Sequence, residues 1–373
     1  MTVFFLFVFG LYFLLMLLLI YGWEKAMVTR VPAMVENRNQ KITVVIPFRN
    51  EEENLECLIS DLISQTYHPA LYEVVFVDDH STDRSQEIVS LKISTYDNFK
   101  LVTLPSGVEG KKRAITLGIE KSNCDIVVTT DADCRLSRSW LTSINAQFQN
   151  NNIVMVSGGV KLDEDGSFFS RLQAMEFSSL IGSGASSLAV GYPTMCNGAN
   201  LSFLKSAFYE VDGYEGNFTI SSGDDEFLMR KMSAKFPGSI CFLNNPESVV
   251  STEAQQSLKD FFRQRLRWAG KWKHNSSAWT KLLAVYIFFF QISFIVVLGS
   301  LLTDKMDLKI AFFLIGGKIV LEFIFLSKVC TFLKVKWRTN YFLLLQLIYP
   351  LYVIVVAIAS NFISPFWKER KIS

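Results

Sequence analysis

Residues 3–21 are an unbroken apolar run, close to the ~20 residues that an α-helix needs to cross a bilayer. No basic residue precedes the run, and Tyr21-Gly22-Trp23-Glu24 is a poor small-residue cleavage site. A retained anchor over 1–24 is therefore expected rather than a signal peptide. Lys25, Arg30, Arg38 and Lys41 follow it, which places the next segment on the cytoplasmic side. After Trp279 the chain turns apolar again. Segments 282–302 and 341–363 are long enough to span, and the second carries Pro350, where a kink is expected. Segment 310–326 is shorter and holds Lys318 and Glu322, so it either spans with those charges facing protein or lies in the interface. The loop 328–338 and the tail 368–371 are basic, and both read as cytoplasmic. Three full C-terminal spans cannot satisfy both, so one segment is re-entrant or interfacial, or the tail breaks the rule.

Composition narrows the class. The 37 Lys+Arg stand against 35 Asp+Glu, a net charge of +2, without the basic surplus of a nucleic-acid binder. With 19% charged and 14% aromatic residues the chain is not disordered. The mean hydropathy of +0.26 is high for a soluble protein, and the excess sits at the two ends. Six cysteines (57, 124, 134, 196, 241 and 330) form no C-x-x-C pair, and there are three histidines. That pattern suits reduced cytosolic thiols and argues against a zinc cluster or disulfide scaffold.

Between the apolar ends, residues 41–280 alternate short apolar runs with helical periodicity. Strands are expected at 42–46, 73–77, 100–104 and 125–130. Helices are expected over 51–64 with Asn50 as N-cap, from Ser81 to about 91, and over 112–120. Strands alternating with helices imply an α/β fold around a doubly wound, mostly parallel sheet. Such sheets bind ligands beyond the carboxyl ends of their strands. Here those ends carry Pro47-Phe48-Arg49-Asn50-Glu51, Asp78-Asp79 and Asp131-Ala132-Asp133. Asp is common in ordinary turns, but acids at three successive strand ends repel unless a cation sits among them. A divalent ion shared with substrate phosphates supplies that charge.

The motifs now resemble the membrane-bound family-two glycosyltransferases with a GT-A fold. The resemblance covers roughly residues 41–275, in the family's order. It implies that Pro47, Phe48, Asn50 and Glu51 form the first strand and turn of the donor site, and that Asp79 contacts the nucleoside. Lys111, in Gly110-Lys111-Lys112-Arg113-Ala114, is implied beside the diphosphate. Asp131 and Asp133 match the D-x-D metal motif, for Mg²⁺ or Mn²⁺. Asn197, Gly198 and Asn200 look like the acceptor-side loop. Asp224-Asp225 stands where the family usually has Glu-Asp, and Gln264-Arg265-Leu266-Arg267-Trp268 is a full Q-x-x-R-W. Gln264, Arg267 and Trp268 are implied to hold the acceptor end and close over the nucleotide, Arg267 on the donor side.

The expected reaction is a single inverting displacement in which a sugar leaves its nucleotide diphosphate for an acceptor hydroxyl. Metal, Lys111 and Arg267 neutralise the leaving group. Asp225 is the candidate base and Asp224 its orienting neighbour, and the Asp-for-Glu departure leaves open which of the two is the base. The acids of Gly223-Asp224-Asp225-Glu226 also suit a helix N-terminus. Residues 261–273 carry five basic groups, among them Arg265, and Trp268 and Trp272 on one helical face. They read as an interfacial helix with its charges at headgroups or diphosphate. His80, Cys134 and Cys196 read as packing or surface residues.

The expected organisation is an anchor (1–24), a GT-A domain (41–258), an interfacial helix (259–280), a membrane region (281–364) and a basic tail (365–373). The expected protein is a multi-pass integral membrane enzyme of the cell or inner membrane, with its catalytic domain in the cytoplasm. It takes a nucleotide sugar, a UDP-sugar by preference, and a lipid or glycan acceptor, with a partner subunit or a second copy admitted. A processive polysaccharide synthase is the alternative. An inactive sugar-binding scaffold and an anchored nucleotidyltransferase are the remote ones.

Overall fold

The computed structural model describes residues 2–28, 39–218, 223–270, 278–303, 306–362, 366–367 and 370–371. In chain order the elements are α1 (Thr2–Val28), β1 (Ile42–Phe48), α2 (Leu55–Ile63), β2 (Tyr72–Asp78), α3 (Ser85–Ile93), β3 (Phe99–Thr103), α4 (Lys111–Glu120) and β4 (Ile126–Thr129). Next come β5 (Cys134–Arg135), α5 (Trp140–Gln147), β6 (Met155–Gly158), β7 (Val160–Asp163), α6 (Phe168–Ala189), β8 (Leu201–Leu204), α7 (Lys205–Glu210) and α8 (Asp224–Lys235). The last are β9 (Ile240–Leu243), β10 (Val250–Glu253), α9 (Leu258–Gly270), α10 (Ala278–Ser300), α11 (Leu308–Phe332) and α12 (Thr339–Ala359).

Two compact units form. One takes Lys25–Asp163 and Ser187–Glu253, the other Met1–Glu24, Glu164–Ser186 and Ala254–Ser373. In the first unit the main sheet runs β3-β2-β1-β4-β8-β6-β9 among the described residues. Only β8 among these strands runs antiparallel to its neighbours. β1 and β2 are buried along almost their whole length, as parallel strands covered on both faces must be. Val45, Val75 and Val77 share a core cluster with Ala114, Ile115 and Ile119 of α4, and each large side chain fully buried there contributes ~1.5–3 kcal/mol. Because β1, β2, β3 and β4 are parallel, their acidic turns leave at one edge. The reversed β8 begins at that edge, with Leu201 opposite Thr129, and so delivers residues 197–200 to it.

Two helix starts lie later than expected. α2 begins at Leu55, with Asn54 at the cap position. Asn50 instead adopts φ 52°, and its Oδ1 accepts from Thr82 N at 2.8 Å. Ser81 does not cap α3, which begins at Ser85. Its Oγ accepts from Asn50 N at 3.1 Å, so the turns after β1 and β2 are tied to each other.

In the second unit α1, α10, α11 and α12 are each long and apolar enough to cross a membrane. The sequence expectation for 310–326 is corrected in length: α11 starts at an Asp307 cap, with Oδ1 accepting from Lys309 N at 2.8 Å, and runs to Phe332. Its charges face protein. Lys318 is 2% exposed, donates to Glu322 at 2.9 Å and to Gln346 Oε1 at 2.6 Å, and lies 4.5 Å from the Phe294 ring. Tyr12 donates to Glu322. This saturated network removes the need for an interfacial placement. Pro350 lies inside α12, which continues to Ala359. The expected boundary at 258 also shifts, because Glu164–Ser186 groups with α9. Gln173 and Gln255 exchange hydrogen bonds of 2.9 and 3.1 Å. Arg30, Arg38, Lys271, Trp272, Lys273 and Lys368 lie outside the described residues.

Candidate active site

At the carboxyl edge of the sheet, Asp79 follows β2 and is 3% exposed. Its N–H donates to Phe48 O at 2.9 Å, its carbonyl accepts from Arg49 Nη1 at 2.9 Å, and its Oδ2 accepts from Gly110 N at 3.1 Å. Gly110 has φ 107°, a conformation that side chains disfavour and that turns this amide toward the carboxylate. Burial, only partly offset by the Gly110 amide and Arg49, pushes the Asp79 carboxyl above its ordinary value. Phe48 is corrected as a donor contact. Its side chain is buried and packs edge-on against Phe76, leaving only its backbone to shape the turn. Pro47 is half-buried and Asn50 exposed, while Glu51 accepts from Asn54 Nδ2 at 2.8 Å.

Lys111 joins motifs that lie far apart in the sequence. Its Nζ is 2.6 Å from Asp131 Oδ1 and 3.5 Å from Asp224 Oδ2. Burial opposes its charge, but Asp131, Asp224 and Asp225 together hold the ammonium well above the usual lysine range. Gly198 closes the same cluster. Its N–H donates to Asp225 Oδ2 at 3.1 Å, and its carbonyl accepts from Thr129 Oγ1 at 2.8 Å. A Cβ there would stand 3.2 Å from Asp224 Oδ2 and 3.5 Å from Lys111 Nζ. Asp225 Oδ1 also accepts from Glu226 N at 2.7 Å at the start of α8, so two backbone amides fix this carboxylate.

Asp133 accepts from Thr252 Oγ1 at 3.2 Å. Although Asp133 keeps an exposed surface, desolvation of its carboxyl, then the neighbouring Asp131 and Glu51 carboxylates, push it up to about 6. Lys111 offsets Asp131 on one side, yet Asp131, Asp133 and Glu51 still crowd their negative charge together. Among the described residues no group of three His, Cys, Asp or Glu gathers as a ligand set. Asp131 and Asp133 on one turn nevertheless fit a hard divalent ion that keeps one or two carboxylates and takes its other oxygens from substrate phosphates and water. The Lys111 ammonium beside Asp131 marks where positive charge is favoured.

Asn197 caps the short turn Gly198–Asn200, its Oδ1 accepting from Ala199 N at 3.0 Å. Asn200, expected on the acceptor side, is corrected to a structural role. It is 2% exposed, accepts from Trp140 Nε1 at 3.0 Å, and donates to Gly159 O and Ser248 O, both at 2.9 Å. His80 Nε2 lies 3.1 Å from Val108 O. Cys134 is buried, and its burial pushes the thiol well up, so neither residue is equipped as a nucleophile.

Gln264, Arg267 and Trp268 lie on α9, in the other unit. Arg265, expected among the headgroup-facing bases, is corrected. It is 3% exposed and pairs with Glu176 of α6 at 2.5 Å, while Arg263 pairs with Asp260 at 3.4 Å. Sequence reasoning missed Glu176, although it is the sole acid in α6. It also gave no role to Arg49, although Arg49 stands within the strand-end motif, or to Thr252, which carries no such signal.

The model described as "Glycosyl transferase family 2" matches residues 43–211. Those residues form a family-two glycosyltransferase domain. The stretch holds Asp79, Lys111, Asp131, Asp133 and Gly198. The glycosyltransferase AglE of Haloferax volcanii is 32% identical over 120 residues, covering 32% of this chain and 39% of the relative. Poly-beta-1,6-N-acetyl-D-glucosamine synthase of Staphylococcus aureus is 26% identical over 234 residues, 61% of this chain and 53% of the synthase. The chain thus matches about half or less of the length of these relatives. A mannosyltransferase from Pyrobaculum calidifontis, solved with GDP-Man and Mn²⁺, superposes with a TM-score of 0.61 at 15% identity, covering 97% of this chain and 99% of that one. The glycosyltransferase domain has the GT-A fold.

Proposed function

We propose that this protein transfers a sugar from a nucleotide-sugar donor, a UDP-sugar by preference, to a hydroxyl of a membrane-associated lipid or glycan acceptor, by one inverting displacement. The observation that carries the reading is the Lys111 bridge. A single half-buried ammonium gathers the D-x-D turn and the Asp224-Asp225 pair into one charged cluster, and Asp79 is tied to the residue before it. Asp131 and Asp133 would hold Mg²⁺ or Mn²⁺, which when bound neutralises charge developing on the departing diphosphate. Lys111 adds a fixed positive charge to the same place. Asp224 is engaged by Lys111, whereas Asp225 is oriented by two backbone amides. Asp225 is therefore the base that takes the acceptor proton. Asp79 accepts hydrogen bonds from the nucleoside, and Gln264, Arg267 and Trp268 serve the acceptor and diphosphate.

With four spans, parity ties the loops and the tail to whichever side the glycosyltransferase domain takes. If the glycosyltransferase domain faces the cytoplasm, the basic loop between α11 and α12 does too, and the tail emerges on the opposite side against its charge. The 26% identity to a polysaccharide synthase over 234 residues favours a second reading, a processive polymerase completed by a partner subunit or a second copy.

The test uses the full-length protein in lipid nanodiscs with Mg²⁺ or Mn²⁺, membrane lipid extract and a panel of radiolabelled UDP-sugars. Label entering organic solvent as one discrete species identifies a glycolipid product. Label in high-molecular-weight material identifies a polymerase. Absence of transfer or donor hydrolysis with every donor overturns the proposal.

A further inference from the structure

Arg265 lies inside Q-x-x-R-W yet makes none of the contacts expected of a headgroup-binding arginine. Its Nη2 donates to Glu176 Oε2 at 2.5 Å and its Nη1 to Gln264 Oε1 at 2.6 Å. The guanidinium carbon stands 4.4 Å from the Trp268 ring centroid and 4.6 Å from that of Phe261. Glu176 is 5% exposed. A planar guanidinium can stack on aromatic faces while donating within its plane, which an ammonium cannot do. The buried charge is compensated by one carboxylate, and removing either partner would strand the other.

This geometry dictates how Gln264 is presented. Arginine only donates, so the oxygen of the Gln264 amide must be the end that faces it. Among the described residues the Nε2 end is then the one that can meet a ligand, and it can only donate. Trp268 packs against both the guanidinium and Phe177, and the Phe177 ring centroid is 5.9 Å from that of Trp268 and 6.0 Å from the guanidinium carbon.

We propose that Arg265 and Glu176 are positioning residues for the acceptor. Arg265 fixes Gln264 with its amide NH₂ outward, which selects an acceptor that offers a hydrogen-bond-accepting oxygen, and it clamps the Trp268 ring. The pair acts through Gln264 and Trp268 and touches no reacting atom. The proposal rests on the glycosyltransferase reading above.

The test titrates the radiolabelled UDP-sugar that turns over in the panel, and separately total membrane lipid extract as the acceptor probe, with the full-length protein in nanodiscs. Arg265→Met raises the half-saturating amount of lipid extract by about tenfold or more, the scale of losing a charged hydrogen bond. The donor KM stays within about twofold of wild type. Arg265→Lys, which keeps the charge but not the stack or the fork, falls between the two. Gln264→Glu decides the case if Arg265→Met does not fold, because it preserves the partner of Arg265 and deletes the NH₂ donors. It too weakens the acceptor while sparing the donor KM. The assignment is overturned if both constants move together, if kcat alone falls, or if Gln264→Glu saturates with lipid extract like the wild type. Failure of the underlying reading shows separately, as wild-type protein that turns over no donor, and that overturns the pair's role as well.

Discussion

The two ends of β2 carry carboxylates of opposite character. At its start, Glu73 accepts from Thr43 Oγ1 at 2.7 Å, Lys100 Nζ at 2.7 Å, Asn123 N at 2.6 Å and Asn123 Nδ2 at 3.2 Å. Burial alone would raise its carboxyl, but these partners outweigh it and hold the group below the ordinary range. Just past the other end, Asp79 is as deeply buried, and its carboxyl is pushed up. The same sheet therefore stabilises an ionised acid at its amino edge and strains one at its carboxyl edge. Saturated charge holds the fold together, and under-compensated charge is where a cationic ligand gains most.

The contrast can be broken first at the carboxyl edge. Chelating divalent metal is expected to lower transfer by about 10²–10³ or more, the scale for losing a main electrostatic stabiliser. Undiminished turnover in excess chelator would remove Asp131 and Asp133 from the metal. Asp225→Asn should lower transfer by about 10² or more while equilibrium binding of the nucleotide persists. Wild-type turnover in that variant moves the base to Asp224.

At the amino edge the effect is on stability. Glu73→Gln should destabilise by about 1–3 kcal/mol at neutral pH, since it strands the groups that Glu73 now satisfies. Because the folded carboxyl lies below its unfolded value, the contribution is present above about pH 4.3 and is lost as pH falls through the folded value. Thermal melts of both proteins across that range should converge in acid, and parallel curves would show that Glu73 is not the titrating group. The smallest effect belongs to Asp79→Asn. A folded carboxyl raised above its unfolded value opposes folding while ionised, so this variant should melt at or slightly above the wild-type temperature at neutral pH. Its affinity for the nucleotide should fall, and a clear drop in melting temperature would contradict the strain assigned to Asp79.

Much of this was legible in the sequence because local chemistry writes it there. Apolar length marks α1 and α10, since a bilayer sets how many residues a helix needs. The runs in β1 and β2 mark buried parallel strands, and the Asp-bearing turns mark the ligand edge. Helix starts were misplaced where side chains found distant partners, as Asn50 did with Thr82. The family resemblance implied Asn200 and Phe48 as ligand contacts, but a motif carries no information about what surrounds a side chain, and both are occupied by packing or hydrogen bonds inside the fold.

By itself the sequence determined the α/β class, the membrane-length helices α1, α10 and α12, and the residue types that such chemistry needs, since periodicity and composition are local properties. Only the tertiary structure decided which charges are satisfied. Lys318 and Glu322 turn inward because Gln346 and Tyr12 arrive from other helices. Arg265 is buried because the lone acid of α6 meets it there. Lys111 bridges Asp131 and Asp224 because a reversed β8 carries Gly198 to the edge where the parallel strands end. Each of these is a long-range pairing, fixed by how the chain folds back on itself and by the cost of leaving a buried charge alone.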